Sequence, residues 1–386
     1  MFSSRVPSDL TPNRLTRAVQ RVRAAGTRLL DLTATNPTAA SISYPASLLA
    51  PLADAAALRY DPSPLGLDSA RSAVAREYRR QGIKVAPEAI VLTASTSEAY
   101  SVLFKLLCAP EGDAVMLPVP SYPLFDHLTR LDGVRPIPYR LEYHGRWGID
   151  FDTLDSGWTD TIRAVLAVSP HNPTGSMLTD GECAALEERC ASRGAALIID
   201  EVFADYLLSD RTPLRHHRPV CLTFRLGGLS KSAGLPQVKL GWMAVEGPDS
   251  LVKGALEKIE LICDTYLSVS TPVQLAAPAL IATGTEVRGR ILDRVRHNDR
   301  ELRRLSEAYP SLHALPCEAG WSAVLRVPST RSEEDLVIEL LERDSVLVYP
   351  GFFFDFPYEA FLVVSLLPET STFVEGVSRV LERAHA

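Results

Sequence analysis

The stretch AVLAVSPHNPTG, residues 164–175, sets a run of small aliphatic residues directly before a turn of Pro, Asn, Thr and Gly. A short apolar run bounded by turn residues is typical of a buried strand. Two later stretches repeat the order, ALIIDEVFADY at residues 196–206 and CLTFRLGGLSKSAG at residues 221–234. We therefore predict three buried strands that are followed directly by Asn172, Asp200 and Lys231.

The same alternation of apolar runs with helix-compatible segments extends on both sides, from about residue 89 to residue 247. The seven predicted strands cover residues 90–93, 114–118, 135–139, 164–168, 195–200, 221–225 and 240–245. Helices are predicted over residues 96–107, 180–193 and 248–263. This pattern predicts an α/β fold with a mainly parallel seven-stranded sheet flanked by helices. In such sheets ligands bind beyond the carboxyl ends of the strands.

After about residue 283 the pattern changes to one long Arg-rich helix and then a mixture of short strands and helices. The predicted elements are helices over 286–309 and 332–343, strands over 321–327, 346–349 and 361–366, and a last amphipathic helix that carries Phe373 and Val377. We predict a large domain over 46–284 and a smaller α+β domain formed by 1–45 and 285–386. A helix over 11–24 is expected to pack beside the smaller domain.

Composition excludes several classes of protein. The 386 residues carry 40 Lys+Arg and 47 Asp+Glu, a formal charge of -7, so there is no general basic surface for nucleic acid. Hydrophobic residues at 46% and charged residues at 23% match an ordinary folded protein rather than a disordered or fibrous one. No apolar run is long enough for a membrane span, and the opening MFSSRVPSDL lacks the apolar segment of a secretory signal, so we expect a cytoplasmic protein.

Cysteines and lysines narrow the possible chemistry. The six cysteines are scattered, with no CxxC pair and no Cys/His spacing suited to a metal, so we expect reduced thiols and no metal site. Only six lysines occur in the whole chain, which leaves few candidates for lysine chemistry.

Asn172, Asp200 and Lys231 are more informative together than any one of them is alone. A lone NPTG is a turn, an acidic strand end is common, and a lone loop lysine is normally solvated. The three in this order, each after a predicted strand, indicate a pyridoxal phosphate site. A lysine amine can form a Schiff base with the cofactor aldehyde, and an aspartate can keep the pyridine nitrogen protonated so that the ring accepts electrons.

With these residues in place, the chain is identified as a divergent member of the class I/II aminotransferases, the fold-type I family similar to aspartate aminotransferases. The resemblance covers nearly the whole length. The matching stretches are DLTATNPT (31–38), YDPSPLG (60–66), LTASTSEAY (92–100), PSYPLF (120–125), SPHNPTG (169–175), DEVFADY (200–206), GLSKSAGLPQVKLGW (228–242) and VLVYPGFFF (346–354).

The resemblance implies a role for each matching residue. Lys231 corresponds to the Schiff-base lysine that also moves the substrate proton, Asp200 to the partner of the pyridine nitrogen, and Asn172 to the donor for the phenolic oxygen. Tyr122 corresponds to the residue that stacks on the ring. The implied phosphate-binding residues are Ser95, Thr96, Ser97, Ser230 and Lys239. Tyr60 corresponds to a tyrosine that reaches the phosphate of a neighbouring subunit, so a homodimer with shared active sites is expected.

Four positions depart from the family. Phe203 stands where a tyrosine normally donates to the cofactor oxygen, with Tyr206 nearby as an alternative donor. Lys239 replaces a phosphate-binding arginine, and Gly228 replaces a serine. Val363 stands where an arginine normally clamps the substrate carboxylate, so either another cation replaces it, with Arg326 and Arg331 as candidates, or the substrate is held differently.

These departures leave alternatives open. The leading prediction is an aminotransferase that moves an amino group between an amino acid or amine and a keto acid through Lys231. The second is a pyridoxal phosphate lyase, decarboxylase or cyclase of the same fold, which Phe203 and Val363 favour. The third is a cofactor-free binding module, because a fold alone never establishes function.

Overall fold

The computed structural model describes residues 2–210, 217–267 and 269–386. In chain order the strands are β1 (Leu30–Asp31), β2 (Ile90–Thr93), β3 (Ala114–Val119), β4 (Arg135–Tyr143), β5 (Trp147–Ile149), β6 (Ile162–Val168), β7 (Ala196–Asp200), β8 (Thr223–Gly228), β9 (Gly241–Glu246), β10 (His313–Ala314), β11 (Ser322–Arg326), β12 (Val346–Leu347), β13 (Tyr349–Pro350) and β14 (Phe361–Ser365). The α-helices are α1 (Arg14–Ala24), α2 (Asp68–Arg80), α3 (Thr96–Leu107), α4 (Leu124–Leu131), α5 (Phe151–Ser156), α6 (Asp180–Arg193), α7 (Leu229–Ser232), α8 (Asp249–Tyr266), α9 (Thr271–Ser306), α10 (Glu333–Asp344) and α11 (Thr370–His385).

An eight-stranded sheet in the order β2–β9–β8–β7–β6–β3–β4–β5 forms the larger layer. The central pairs β8–β7, β7–β6, β6–β3 and β3–β4 are parallel, whereas β9 runs antiparallel to both of its neighbours. All seven predicted strands are present, so the mainly parallel sheet is confirmed. The eighth strand, β5, was not predicted, because its three residues are too short to show an alternating pattern.

Helices α3 and α6 begin and end where the sequence predicts, because each starts at a strong N-cap. The Ser95 side chain accepts a hydrogen bond from the backbone of Glu98 at 3.1 Å, and Thr179 forms a complete capping box with Glu182. Helix α6 ends at Gly194, which adopts a left-handed conformation with φ of 66°. These caps fix the polar residues between strand and helix at one edge of the sheet.

Helix α9 is longer than predicted. It starts at Thr271 and runs for 36 residues with Pro278 inside it, whereas the sequence indicates a helix over 286–309. The predicted division between the two domains, at residues 284 and 285, therefore falls within one continuous helix. That division stays a prediction.

The C-terminal layer contains an antiparallel sheet in the order β10–β11–β14–β13, with α10 packed on β13 and α11 packed on α10 and β12. The N-terminal segment joins it, since β1 pairs in parallel with β12 and α1 packs on α10. Two ion pairs tie α1 to α10, Arg14 with Asp335 at 2.6 Å and Arg21 with Glu342 at 2.8 Å. The prediction that the N-terminal helix packs beside this layer is confirmed.

Across the described residues, none of the helices is long and apolar enough to cross a membrane. All six cysteines are free thiols, and all except Cys108 are buried.

Candidate active site

Asp200, Lys231 and the Asn172 turn lie at one edge of the large sheet. Asp200 ends β7, and its carbonyl accepts a hydrogen bond from the Ser169 amide at 2.9 Å, just after β6 ends at Val168. Lys231 lies in α7, which follows β8 without a break, and β8 pairs in parallel with β7. The parallel strands thus bring three segments together although they are far apart in the chain.

Asp200 is buried, with 6% of its surface exposed. Its Oδ2 accepts a hydrogen bond from the Tyr100 hydroxyl at 2.6 Å, and its Oδ1 accepts one from the Val202 amide at 3.1 Å. Burial raises the pKa of this carboxyl, while the two hydrogen bonds and the charge of Lys231 act in the opposite direction. A buried carboxylate with donors on both oxygens suits a cationic ligand group.

Lys231 is enclosed by aromatic rings. Its Nζ lies 5.0 Å from the centre of the Trp321 ring and 5.7 Å from that of Phe203. Burial lowers the pKa of the Lys231 amine, and the charge of Asp200 partly opposes that shift. Within the described residues, Nζ makes no hydrogen bond to the protein. The lowered pKa favours the neutral amine, which is the form that attacks a carbonyl carbon.

The backbone around Lys231 is held by side chains from three other segments. The Tyr206 hydroxyl donates to the Lys231 carbonyl, Arg288 Nε donates to the Ser232 carbonyl at 2.7 Å, and the Tyr44 hydroxyl donates to the Gly234 carbonyl at 2.7 Å. Tyr206 is fully buried with its hydroxyl engaged in this way. Its single hydroxyl proton is therefore engaged with the Lys231 backbone and not with the position that Phe203 leaves without a donor.

An ionic cluster lies behind this loop, with Arg80 at its exposed end. Arg288 pairs with Glu77 at 2.7 Å and with Asp205 at 3.4 Å. Arg80 pairs with Glu77 at 2.9 Å and also with Asp205. Two acids and two bases that are paired in this way balance their charges and fix α9 against the Lys231 loop.

The N-terminus of α3 forms one wall of the site. Residues Thr96 and Ser97 occupy its first turn, where backbone amides have no partner inside the helix and favour an anion. Gly241, which pairs with Thr93, passes directly beneath this turn. A Cβ at Gly241 would lie 2.8 Å from the Ser95 carbonyl carbon and 3.0 Å from the Thr96 nitrogen, so only glycine fits this approach.

The remaining predicted phosphate-binding residues belong to segments that flank Gly241. Gly228 pairs with Gly241, and Ser230 follows it at the start of α7. Lys239 is exposed two residues before Gly241. A Cβ at Gly228 would lie 3.1 Å from the Leu240 carbonyl oxygen and 3.2 Å from the Gly241 Cα, so the glycine found here in place of a serine relieves crowding between β8 and β9.

The turn that carries Asn172 is held by hydrogen bonds from the segment that precedes β11. Gly175 has φ of 68°, and its carbonyl accepts hydrogen bonds from the amides of Glu318 and Ala319, both at 3.0 Å. The His171 Nδ1 lies 2.9 Å from the Thr174 hydroxyl, and burial lowers the pKa of His171 to about 3, so its ring is neutral. The Asn172 side chain is half-buried and makes no hydrogen bond to any described residue.

Tyr122 and Tyr60 both reach the surface, at different places. Tyr122 follows β3, is 43% exposed and lies edge-on to Phe125, with ring centres 6.1 Å apart. Tyr60 is 66% exposed and borders a cavity of about 290 Å³ together with Leu267. None of the other predicted site residues lines that cavity.

Val363 is buried in β14, where it pairs with Val324 and Tyr349. The two substitute cations do not lie beside it. Arg331 binds Glu339 at 2.7 Å and the carbonyl of Arg383, and Arg326 is exposed at the end of β11 away from Trp321. Neither arginine therefore supplies a carboxylate clamp near Lys231.

Two residues of the site were not singled out from the sequence, Tyr100 and Trp321. Tyr100 has a local signal, since it lies four residues after Thr96 and so on the same face of α3. Trp321 has none, because its contact with Lys231 arises only when the C-terminal layer meets the large sheet.

This geometry can be compared with known proteins. The family model for aminotransferases of class I and II matches residues 47–373. The chain belongs to this family. Its aminotransferase relatives include the glutamate-pyruvate aminotransferase AlaA of Haemophilus influenzae, 25% identical over 93% of this chain and 91% of that protein. The alanine aminotransferase of Mycobacterium bovis is 27% identical over 93% of this chain and 86% of its own length.

An aminotransferase structure from Escherichia coli has the same fold, with a TM-score of 0.85 at 22% identity over 100% of this chain and 99% of that one. The predicted fold-type I architecture is therefore confirmed. So is the prediction of an enzyme, because this aminotransferase family carries out transamination with pyridoxal phosphate. The prediction of a cofactor-free module is wrong.

The residues present fit this cofactor. Pyridoxal phosphate needs an amine for its aldehyde, a carboxylate for its pyridine nitrogen and an anion site for its phosphate. The aminotransferase offers the unbonded Lys231 Nζ, the buried Asp200 and the first turn of α3 above Gly241. When bound, the cofactor supplies an electron sink for the α-carbon of the substrate.

Proposed function

We propose that Lys231 and Asp200 form the catalytic centre of this transaminase. Lys231 would hold the cofactor's aldehyde carbon and move the proton at the substrate α-carbon, and Asp200 would hold a proton on the pyridine nitrogen. The observation that supports these roles is the geometry: Asp200 is a buried carboxyl at the end of β7, and Lys231 directly follows the adjacent parallel strand β8. A lysine of lowered pKa is suited to proton transfer near neutral pH.

The remaining contacts with the cofactor follow from the same arrangement. We assign its phosphate to the first turn of α3 and to two nearby side chains, Ser230 and Lys239. Asn172, whose amide is unbonded within the described chain, would donate to the phenolic oxygen. Tyr122, whose ring is partly exposed, and Phe203, close to Lys231, would contact the ring.

For the substrate, we propose alanine as amino donor, because two of the relatives are named for alanine and for glutamate and pyruvate. The site adds one condition. Val363 is apolar and the wall beside Lys231 is aromatic, so the donor's carboxylate would be bound without an arginine at that position. The same observation favours a second candidate donor, an amine with no carboxylate.

A single-turnover experiment tests the reaction and the donor together. The cofactor-loaded protein is mixed with alanine, glutamate or ethylamine in the absence of any keto acid, and the carbonyl product is quantified. Transamination stops after about one equivalent of pyruvate per subunit, because no acceptor restores the cofactor. Continued release of ammonia or carbon dioxide would contradict it.

Two variants assign the lysine. Lys231→Ala should form no pyruvate and lose the covalent attachment to cofactor that borohydride reduction makes permanent, as measured by protein mass. Lys253→Ala, which changes an exposed lysine on α8, is the matched control and should behave as the parent protein. A Lys231→Ala protein that still retains cofactor after reduction and denaturation would overturn the assignment.

We also propose a homodimer. The apolar residues Leu58, Tyr60, Leu261, Tyr266 and Leu267 are each more than half exposed. Tyr60 and Leu267 share one cavity, so part of this set is contiguous. An exposed apolar patch on a soluble enzyme is typical of an interface. A second copy would place Tyr60 at the partner's phosphate, as the sequence resemblance implies.

A further inference from the structure

The hydrogen bond between Tyr100 and Asp200 lies outside the cofactor contacts proposed above, because Tyr100 itself has no proposed contact with the cofactor. The Tyr100 hydroxyl donates to Asp200 Oδ2 at 2.6 Å. Both side chains are buried, with 2% of Tyr100 and 6% of Asp200 exposed, so water does not compete for this bond. A short bond from a neutral donor to a buried carboxylate is among the stronger hydrogen bonds in proteins.

Tyr100 lies on the helix that begins at the proposed phosphate site. It is one turn beyond Thr96 and on the same face of α3. Helix α3 therefore contacts both ends of the proposed cofactor site, the phosphate end with its first turn and the Asp200 end with its second. A shift of α3 would move both contacts at once.

Phe125 fixes the direction of the phenol. Its ring lies edge-on to Tyr100, with centres 5.3 Å apart and an interplanar angle of 71°, and edge-on to Tyr122 at 6.1 Å and 86°. Such edge-to-face pairs restrict ring orientation. Tyr122, proposed to contact the cofactor ring, and Tyr100, which binds Asp200, thus both pack against Phe125.

The charges are consistent with a donor role for Tyr100. Burial and the charge of Asp200 raise the pKa of the Tyr100 phenol well above its ordinary value, so it stays protonated. Asp200 accepts one bond on each oxygen, from Tyr100 and from the Val202 amide. A carboxylate has about four acceptor positions, so Asp200 retains room for a third donor.

We propose that Tyr100 is a positioning residue whose hydroxyl holds the Asp200 carboxylate ionised and directed at the pyridine nitrogen of the cofactor. Tyr100 therefore acts through Asp200 and touches neither substrate nor cofactor. The inference rests on the proposed role of Asp200.

The test uses the complete protein loaded with pyridoxal phosphate carrying ¹⁵N in its ring. Tyr100→Phe removes the hydroxyl and keeps the ring that packs on Phe125. We expect the ¹⁵N signal to move toward the unprotonated position and the cofactor dissociation constant to rise about tenfold, since a hydrogen bond to a charged group is lost.

Tyr139→Phe is the matched control. Tyr139 is equally buried, and its hydroxyl donates to a backbone carbonyl, that of Leu166, at 2.8 Å. It should lower the melting temperature to a similar extent without moving the ¹⁵N signal. A merely structural role for Tyr100 would make the two variants alike, and that result would overturn the proposal.

Asp200→Asn separates failure of this inference from failure of the proposed function. If Asp200→Asn moves the ¹⁵N signal and Tyr100→Phe does not, the positioning role is wrong while Asp200 keeps its assignment. If neither variant moves it, the assignment of Asp200 fails and this inference fails with it. Should Tyr100→Phe not fold, Tyr100→Met provides a second non-donor side chain, whose flexible stem adapts to the same space.

Discussion

Val363 occupies the position in β14 at which the sequence resemblance implies an arginine, and its neighbours in the sheet are Val324 and Tyr349. If the missing cation limits the binding of amino acids, Val363→Arg should raise kcat/KM for alanine by roughly ten- to a hundredfold, the range expected for hydrogen bonds to a charged group. The measurement is the steady-state rate with alanine and a keto acid.

Val363→Met is the control for this prediction, because it adds volume without charge. The arginine would enter a buried position, so the melting temperature of both variants is measured first. Equal kcat/KM values for alanine in the two folded variants would show that the carboxylate is bound elsewhere.

Individual residues of the site were predictable to different degrees. Asp200 and Lys231 could be found because each directly follows an apolar strand, and the carboxyl ends of parallel strands meet at one edge. The spacing from Thr96 places Tyr100 on the site face of α3, but it does not reveal the partner, since Asp200 lies 100 positions away in the chain. The same holds for Tyr206, whose hydroxyl binds the backbone of Lys231, 25 residues away.

At the scale of elements, strand β9 can pass directly beneath helix α3 because Gly241 has no side chain. Gly241→Ala would place a Cβ 2.8 Å from the Ser95 backbone, and backbone cannot rotate away as a side chain can. We expect a loss of about 1–3 kcal/mol in the free energy of unfolding, as for other overpacked positions, together with weaker cofactor binding. Urea unfolding and cofactor titration measure the two effects.

Gly254→Ala is its matched control. The Cβ it would add on α8 meets only the flexible Lys258 Nζ, at 3.8 Å. Alanine also favours a helix over glycine by about 1 kcal/mol, so this variant should be as stable as the parent or slightly more so. Equal stability of Gly241→Ala would contradict the close approach described for β9.

The ionic cluster between α2 and α9 gives a second prediction at this scale. Arg288→Met would leave the Ser232 carbonyl without its donor and Glu77 and Asp205 short of a cation in a buried place. Removing one partner of a buried ion pair costs about 3–5 kcal/mol, which should appear in urea unfolding. Arg304→Met, which breaks an exposed pair with Glu301, should leave the unfolding curve unchanged, and a similar loss in both variants would rule out a special role for the buried cluster.

The elements themselves were predicted best where caps and flanking turns are local. Helices α3 and α6 have the predicted bounds because Ser95 and Thr179 cap them. The start of α9 was misplaced by fifteen residues, since Pro278 and the threonines near it are typical of a helix end rather than an interior. Packing of α9 on α2 and α11 over its length overrides that local preference.

At the scale of the whole molecule, the proposed dimer makes a prediction of its own. Leu267 is 61% exposed and has φ of 54°, a left-handed conformation that aspartate tolerates well. Leu267→Asp should therefore keep the fold while placing a charge in the proposed interface. We expect a dimer that dissociates at least tenfold more readily, as measured by sedimentation velocity.

Leu251→Asp is the control for the dimer. Leu251 is also exposed, 50%, and lies in the first turn of α8, where an acidic residue is favourable. It should sediment like the parent protein. A parent protein that sediments as a monomer at all concentrations would exclude the shared active site and leave Tyr60 without a role.

Helix α9, about 54 Å long for its 36 residues, runs from the large sheet into the C-terminal layer. Near the middle of the helix, Gly284 packs so closely on Ala233 that an added Cβ would lie 2.5 Å from the Ala233 Cβ. Arg288, one turn further along, donates a hydrogen bond to the carbonyl of Ser232, the residue after Lys231. One continuous helix therefore contacts both the Lys231 loop and the C-terminal layer, which carries Trp321. We expect a rotation of that layer to move the Lys231 loop with it, because a helix transmits displacement along its axis with little bending.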